Sequence, residues 1–254
     1  MAITATVRYS NGGTSSETAF TFSPSSNFTA GTFAVLFVAA DNSATNGASN
    51  SITSVTDSLG NTWTKYQGPL YDPGSANQGI QGGVFTTSMD AGTITTSTSI
   101  SVNFGDATAA KAVVLHEVTP TAGYRIVYSS SGDGSGTTSV SFSETTGSIT
   151  ANNIVLCACF MEGNYNLFAE DSDTTRGSWS SRTAIGVGTS ASGVKLSTQY
   201  KVVTGTGTQT FDVSVTTSCD MVGSWIELSE VPASAGLIIG GKINSGLTHG
   251  RIIH

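Results

Sequence analysis

The feature that most constrains this chain is that its two halves repeat one another. Displacing the sequence by 120 residues sets Val7 on Val127, Ser10 on Ser130, Gly12 on Gly132, Phe22 on Phe142, Val35 on Val155 and Leu36 on Leu156. Farther along, the displacement shrinks. Asp57 and Trp63 meet Asp173 and Trp179 at 116, Gly83 and Val84 meet Gly193 and Val194 at 110, and Glu117 meets Glu227 at 110, a register favoured over 113, which would set Glu117 on Glu230. Matches in one order with a drifting offset mark a duplicated unit that has lost loop residues in its second copy. The chain is therefore expected to hold two domains, 1–120 and 121–232, followed by a C-terminal segment, 233–254. Each unit is long enough to bury its own core.

Within each unit, apolar residues alternate along short runs separated by Gly, Asn, Asp and Ser, the pattern of half-buried antiparallel strands. The first unit shows eight such runs, near 3–9, 18–23, 32–40, 52–56, 62–66, 83–89, 98–104 and 111–119, and no helix of useful length. The expected fold class is all-β: two tandem antiparallel β-sandwich domains of jelly-roll type plus an extended C-terminal arm. An immunoglobulin-like sandwich is the structural alternative, but its Cys…Trp…Cys spacing is missing.

Composition narrows function. Only 11% of residues are charged and the net charge is −7, so the clustered Lys and Arg that neutralise phosphates are lacking and no nucleic-acid partner is expected. The segment Met1–Tyr9 lacks the charged and apolar regions of a signal peptide, and no apolar run approaches the roughly 20 residues that span a bilayer. Synthesis in a host cytoplasm, without export and without a membrane partner, is the expectation. Cys157, Cys159 and Cys219 are an odd set, and the first two share a strand face, so buried free thiols are expected rather than a disulfide framework or zinc site.

No catalytic constellation stands out, and neither a cofactor nor a metal is expected. His116 precedes Glu117 on a strand, which sends the two side chains to opposite faces; His249 and His254 lie in the C-terminal segment. Glu117 and Glu227 are repeat equivalents, which suits a shared structural duty better than the facing acid pair of a glycosidase. Asp41-Asn42, Asp72 and Asp171-Ser172-Asp173 offer oxygen ligands for calcium, yet without a calcium-loop pattern they read as turn residues. Trp63, Tyr66 and Tyr71 are the candidate ligand-binding aromatics, since a ring offers a sugar an apolar face; the competing reading makes Trp63 and Trp179 equivalent core residues.

The stretch Val55-Thr56-Asp57-Ser58-Leu59-Gly60-Asn61-Thr62-Trp63 places a turn-forming Asp-Ser-x-Gly-Asn between two strands. It resembles the VxDSxGNxW/Y hairpin of β-sandwich domains found in bacteriophage structural proteins and bacterial surface proteins. In those domains a late strand ends in Glu, a hydrophobic residue and Ser or Thr, as Glu117-Val118-Thr119 and Glu227-Leu228-Ser229 do. The second copy keeps Asp173 and Trp179 but loses the Gly-Asn. The resemblance implies a non-enzymatic virion protein, a capsid decoration, head-fibre or tail component, with a carbohydrate- or receptor-binding module as the alternative.

The C-terminal segment fits that assembly role. Leu237, Ile238, Ile239, Ile243, Leu247, Ile252 and Ile253 are surplus to either sandwich, and Gly236-Leu237 recurs as Gly246-Leu247. Such a β-branched, apolar stretch is expected to pair by strand addition with another copy of the chain or another virion protein.

Overall fold

The structure is a computed structural model that describes residues 3–41, 52–72, 79–168, 170–189 and 193–233. All its regular elements are antiparallel strands. In the first copy one sheet runs in the order β1 (Thr4–Gly13), β9 (Lys111–Thr119), β3 (Phe33–Asp41), β7 (Ile80–Thr87), β5 (Thr64–Gln67), with β6 (Leu70–Tyr71) also on β7. A smaller sheet runs β2 (Glu17–Phe22), β8 (Ile100–Thr108), β4 (Ile52–Asp57). The chain crosses between the sheets at most connections, as a jelly roll does. Leu36, Val38, Phe85, Ile100, Val102 and Leu115 fill the space between them.

The second copy repeats this order as β10 (Tyr124–Asp133), β15 (Thr210–Pro232), β12 (Ile154–Glu162), β14 (Val194–Val202), β13 (Thr183–Val187). β15 does the work of both β8 and β9. Its first half pairs β11 (Thr137–Thr145), and its second half pairs β12 and β10. Leu167, bridging to Val215, stands where β4 pairs with β8. Val155, Cys157, Met161, Phe211, Val213 and Trp225 belong to the core inside this sandwich.

Strand register corrects the offset read from identities. Ala34 and Leu36 face the core of the first sandwich, and Val155 and Cys157 face that of the second, so the equivalence over β3 and β12 is 121. Setting Val35 on Val155 would join residues from opposite faces, because a one-residue slip inverts a strand. The single-residue irregularity at Arg8 in β1 is likewise matched at Ser129 in β10. Pairing through β3 and β12 sets Gly83 and Val84 on Ser197 and Thr198, not on Gly193 and Val194. The identities misled because Ser, Thr, Gly and Val recur too often in such strands to fix register alone.

The two sandwiches do not hang as separate beads. The two larger sheets pack on each other, and Phe33, Val35, Phe37, Val114 and Val118 of the first copy join Ile154, Leu156, Phe160, Ile226 and Leu228 of the second in one further core. Gly82 on β7 makes room for it: a Cβ there would lie 2.5 Å from the Phe160 ring. The central strands are therefore buried on both faces, which is why Phe33–Ala40 and Ile154–Met161 read as unbroken apolar runs.

Candidate functional site

The hairpin motif is a hydrogen-bonded hub. Asp57 Oδ1 accepts the Leu59 and Asn61 N–H groups at 2.9 and 3.1 Å, and its Oδ2 accepts Asn61 Nδ2 at 3.0 Å and Trp63 Nε1 at 2.9 Å. Gly60 takes the positive φ of 81° that the turn needs. Asn61 Oδ1 then accepts the N–H groups of Ala91 and Gly92, pinning a second loop. In the second copy Asp173 Oδ1 still accepts the N–H two residues on, and its Oδ2 accepts from Lys201 Nζ at 3.1 Å. Hydrogen bonding to Thr175 holds the Asp173 carboxyl down at about 2.

The two equivalent glutamates stitch the strand ends to the turns that precede β3 and β12. Glu117 Oε1 accepts the Thr29 N–H at 2.6 Å and the Thr32 hydroxyl at 2.9 Å, while Oε2 pairs with the Arg8 guanidinium. Glu227 Oε1 accepts the Thr150 N–H at 2.8 Å and Asn153 Nδ2 at 2.7 Å, and Oε2 accepts the Ser130 hydroxyl at 2.5 Å. Thr29 and Thr150, like Thr32 and Asn153, are again 121 apart. Burial pushes the Glu227 carboxyl up, but these hydrogen bonds outweigh it and its pKa lies below the usual value.

Other ionisable groups are also drawn into the scaffold. Buried Lys111 pairs with Glu17 at 2.7 Å and donates to the Ser15 and Thr108 carbonyls. Buried Lys201 lies 4.8 Å from the Trp179 ring centroid and donates to the Thr175 carbonyl as well as to Asp173. His116 sits in the core between the sandwiches, its Nε2 3.1 Å from the Thr198 hydroxyl of the other copy, and burial lowers its pKa to about 4. The three cysteines are free and buried, and desolvation raises each thiol, Cys219 to about 12, so none carries the thiolate a nucleophile needs.

Three carboxyls near the seam shift the other way. Burial raises Asp41 to about 6 and both Glu144 and Glu162 to about 7; Asp133 adds to the shift of Glu144, and Asp220 and Asp41 add to that of Glu162. A carboxyl raised on folding contributes stability below its unfolded pKa and loses it as pH climbs through the folded value. His116, depressed on folding, contributes stability above its unfolded pKa near 6.5 and loses it towards pH 4. Burial raises the Asp133 carboxyl as well, so four raised carboxyls oppose one depressed histidine, and thermal stability should rise as pH falls from 8 to about 5. Glu144→Gln should flatten that rise, which melts across the pH range would read; an unchanged slope would rule out the Glu144 contribution.

The seam also forms a cleft. Two adjoining hollows of about 260 and 370 Å³ share Phe33, Ser88, Asp90, Arg125 and Ile126. Thr62, Thr64, Tyr66, Thr86 and Tyr128 line the first hollow only. Tyr66 and Tyr128, one from each sandwich, stack at 3.9 Å with an interplanar angle of 18°.

Of the aromatics singled out from sequence, only Tyr66 lines this cleft. Trp63 packs against the core inside the first sandwich, on the opposite face of the sheet from Tyr66 and Tyr71. Tyr71 packs over Gly136, with its hydroxyl 3.0 Å from that of Thr138. The three do not form one platform, because β5 alternates its side chains. Sequence reasoning missed Tyr128, Arg125 and Asp90, whose proximity depends on how the copies dock.

Asp171 caps its own loop, accepting the N–H groups of Asp173 at 2.8 Å and Asp212 at 2.9 Å, as turn chemistry requires. Among the described residues no group of three acidic, His or Cys side chains is arranged to hold a metal. Asn42, His249, His254 and the arm residues Leu237, Ile238, Ile239, Ile243, Leu247, Ile252 and Ile253 lie outside the described residues. Comparison with protein-family models, curated proteins and solved structures finds no match to the chain.

Proposed function

We propose that this chain is a non-enzymatic structural protein of a bacteriophage particle, a capsid decoration, head-fibre or tail component, which joins its assembly through residues 236–254. The observation that supports this reading best is the use made of its ionisable side chains. Glu117, Glu227, Lys111, Lys201 and His116 are buried and spent on holding strands and turns together. A body stiffened by three cores suits a load-bearing part. The resemblance of the Asp57 hairpin supplies the kind of particle.

The test is deletion of residues 236–254. The fold is closed before that point, since Pro232 pairs with Tyr124 and the Ala233 N–H donates to the Gly123 carbonyl at 2.9 Å. The truncated protein should keep β-type circular dichroism and its melting temperature, while oligomerisation or particle incorporation is lost. Apolar burial contributes roughly 25 cal/mol per Å², so seven Leu and Ile side chains can supply several kcal/mol after ordering costs. Normal assembly by the truncated chain would overturn the reading.

A further inference from the structure

We propose that the cleft on the seam between the sandwiches is a binding site for a neutral, hydroxyl-rich glycan. Arg125 and Asp90 are both exposed and line the same cleft, and their side chains make no hydrogen bond or ion pair with any described residue. They differ from the buried Glu117, Glu227, Lys111 and Lys201, which are spent on the scaffold. A guanidinium offers a planar fork of donors and a carboxylate offers only acceptors, so together they match vicinal hydroxyls, each of which both donates and accepts.

Their charges cancel within the cleft, which removes the net attraction that would select a phosphate, a uronate or a metal ion. The remaining lining is neutral, hydroxylic at Thr62, Thr64, Thr86 and Ser88 and apolar at Phe33, Ile126 and Val127. Tyr128 is 37% exposed and stacks on Tyr66, so the two rings brace each other in the lining of the cleft. A fixed aromatic face beside convergent polar groups is what a pyranose needs, with its C–H face on the ring and its hydroxyls on the polar atoms. The volume is that of a small-ligand cleft, and both walls come from different copies. Docking the duplicated units thus creates a site that neither copy holds alone.

This inference does not depend on assembly into a particle, and the two are separable because one is read by glycan binding and the other by oligomerisation. The experiment titrates the full-length chain with neutral oligosaccharides built from glucose, galactose or N-acetylglucosamine, in parallel with uronate-containing ones, by calorimetry or NMR. Saturable binding of a neutral oligosaccharide is expected, weakened at least tenfold by Arg125→Ala, by Asp90→Ala and by Tyr128→Ala. The first two variants alter exposed side chains and should keep the parent melt, so loss of binding there cannot be ascribed to unfolding. Absence of binding, binding of uronate-containing chains only, or binding that survives Arg125→Ala and Asp90→Ala would overturn the proposal.

Discussion

Glu117→Gln should cost about 3 kcal/mol of stability, whereas Glu227→Gln, at the equivalent place in the second copy, should cost about 1 kcal/mol or less. Both substitutions are isosteric, and both keep an oxygen for the N–H of Thr29 or Thr150. The difference lies at the other carboxylate oxygen. In the first copy it faces the Arg8 guanidinium, a group that only donates, so a glutamine Nε2 would set donor against donor and leave a partly buried cation without its counter-charge. In the second copy it faces the Ser130 hydroxyl, which can turn to accept from the amide. For a chain of this size about 3 kcal/mol corresponds to a fall in melting temperature of roughly 6–12 °C. Denaturant titration of the two variants reads the contrast directly, and equal losses would refute the role given to Arg8.

The same pair shows what the sequence makes legible. Glu117 and Glu227 can be matched, and given a structural duty, because each is followed by a hydrophobic residue and then Thr or Ser near a strand end, which Glu230 is not. Trp63 and Trp179 work the same way: Trp179 bridges to Lys201 on β14 just as Trp63 opens the strand that pairs with β7. The all-β class and the runs of the first copy follow from alternation; β6 was missed because two residues are too short to show a period. Register was not legible, since Val35, Val84 and their neighbours have look-alikes one to four residues away.

The seam left its mark in the sequence too, but a different one. A strand half-buried in a free sandwich should read apolar and polar in turn, yet Phe33-Ala34-Val35-Leu36-Phe37-Val38-Ala39-Ala40 has no polar member at all. The same holds for Ile154-Val155-Leu156-Cys157-Ala158-Cys159-Phe160-Met161. Unbroken runs at equivalent positions of both copies are the trace of a sheet covered on both sides. The cleft had no such trace, because Asp90, Arg125 and Tyr128 are ordinary surface residues until the copies meet.

From the seam comes the largest expected effect. Residues 1–120 or 121–233 produced alone should fail to fold as soluble monomers, whereas the whole chain should melt in one transition. Each half would expose a sheet face carrying large side chains, Phe33, Val35, Phe37, Val114 and Val118 on one and Ile154, Leu156, Phe160, Ile226 and Leu228 on the other. Full burial of one such side chain is worth about 1.5–3 kcal/mol, so the seam outweighs the typical net stability of about 5–15 kcal/mol for a whole domain. An exposed face of this kind also exceeds the apolar patch of a few hundred Å² that soluble monomers ordinarily tolerate. Phe160→Ala offers a graded version in the intact chain. Its ring is fully buried against Gly82, whose missing side chain leaves nothing to collapse into the vacated space, so the loss should be about 3–5 kcal/mol. Chemical denaturation of the variant and light scattering of the isolated halves provide the measurements. Two halves that each stay monomeric and unfold cooperatively would make the seam a docking surface between finished domains, and Phe160→Ala would then lower the stability of neither half.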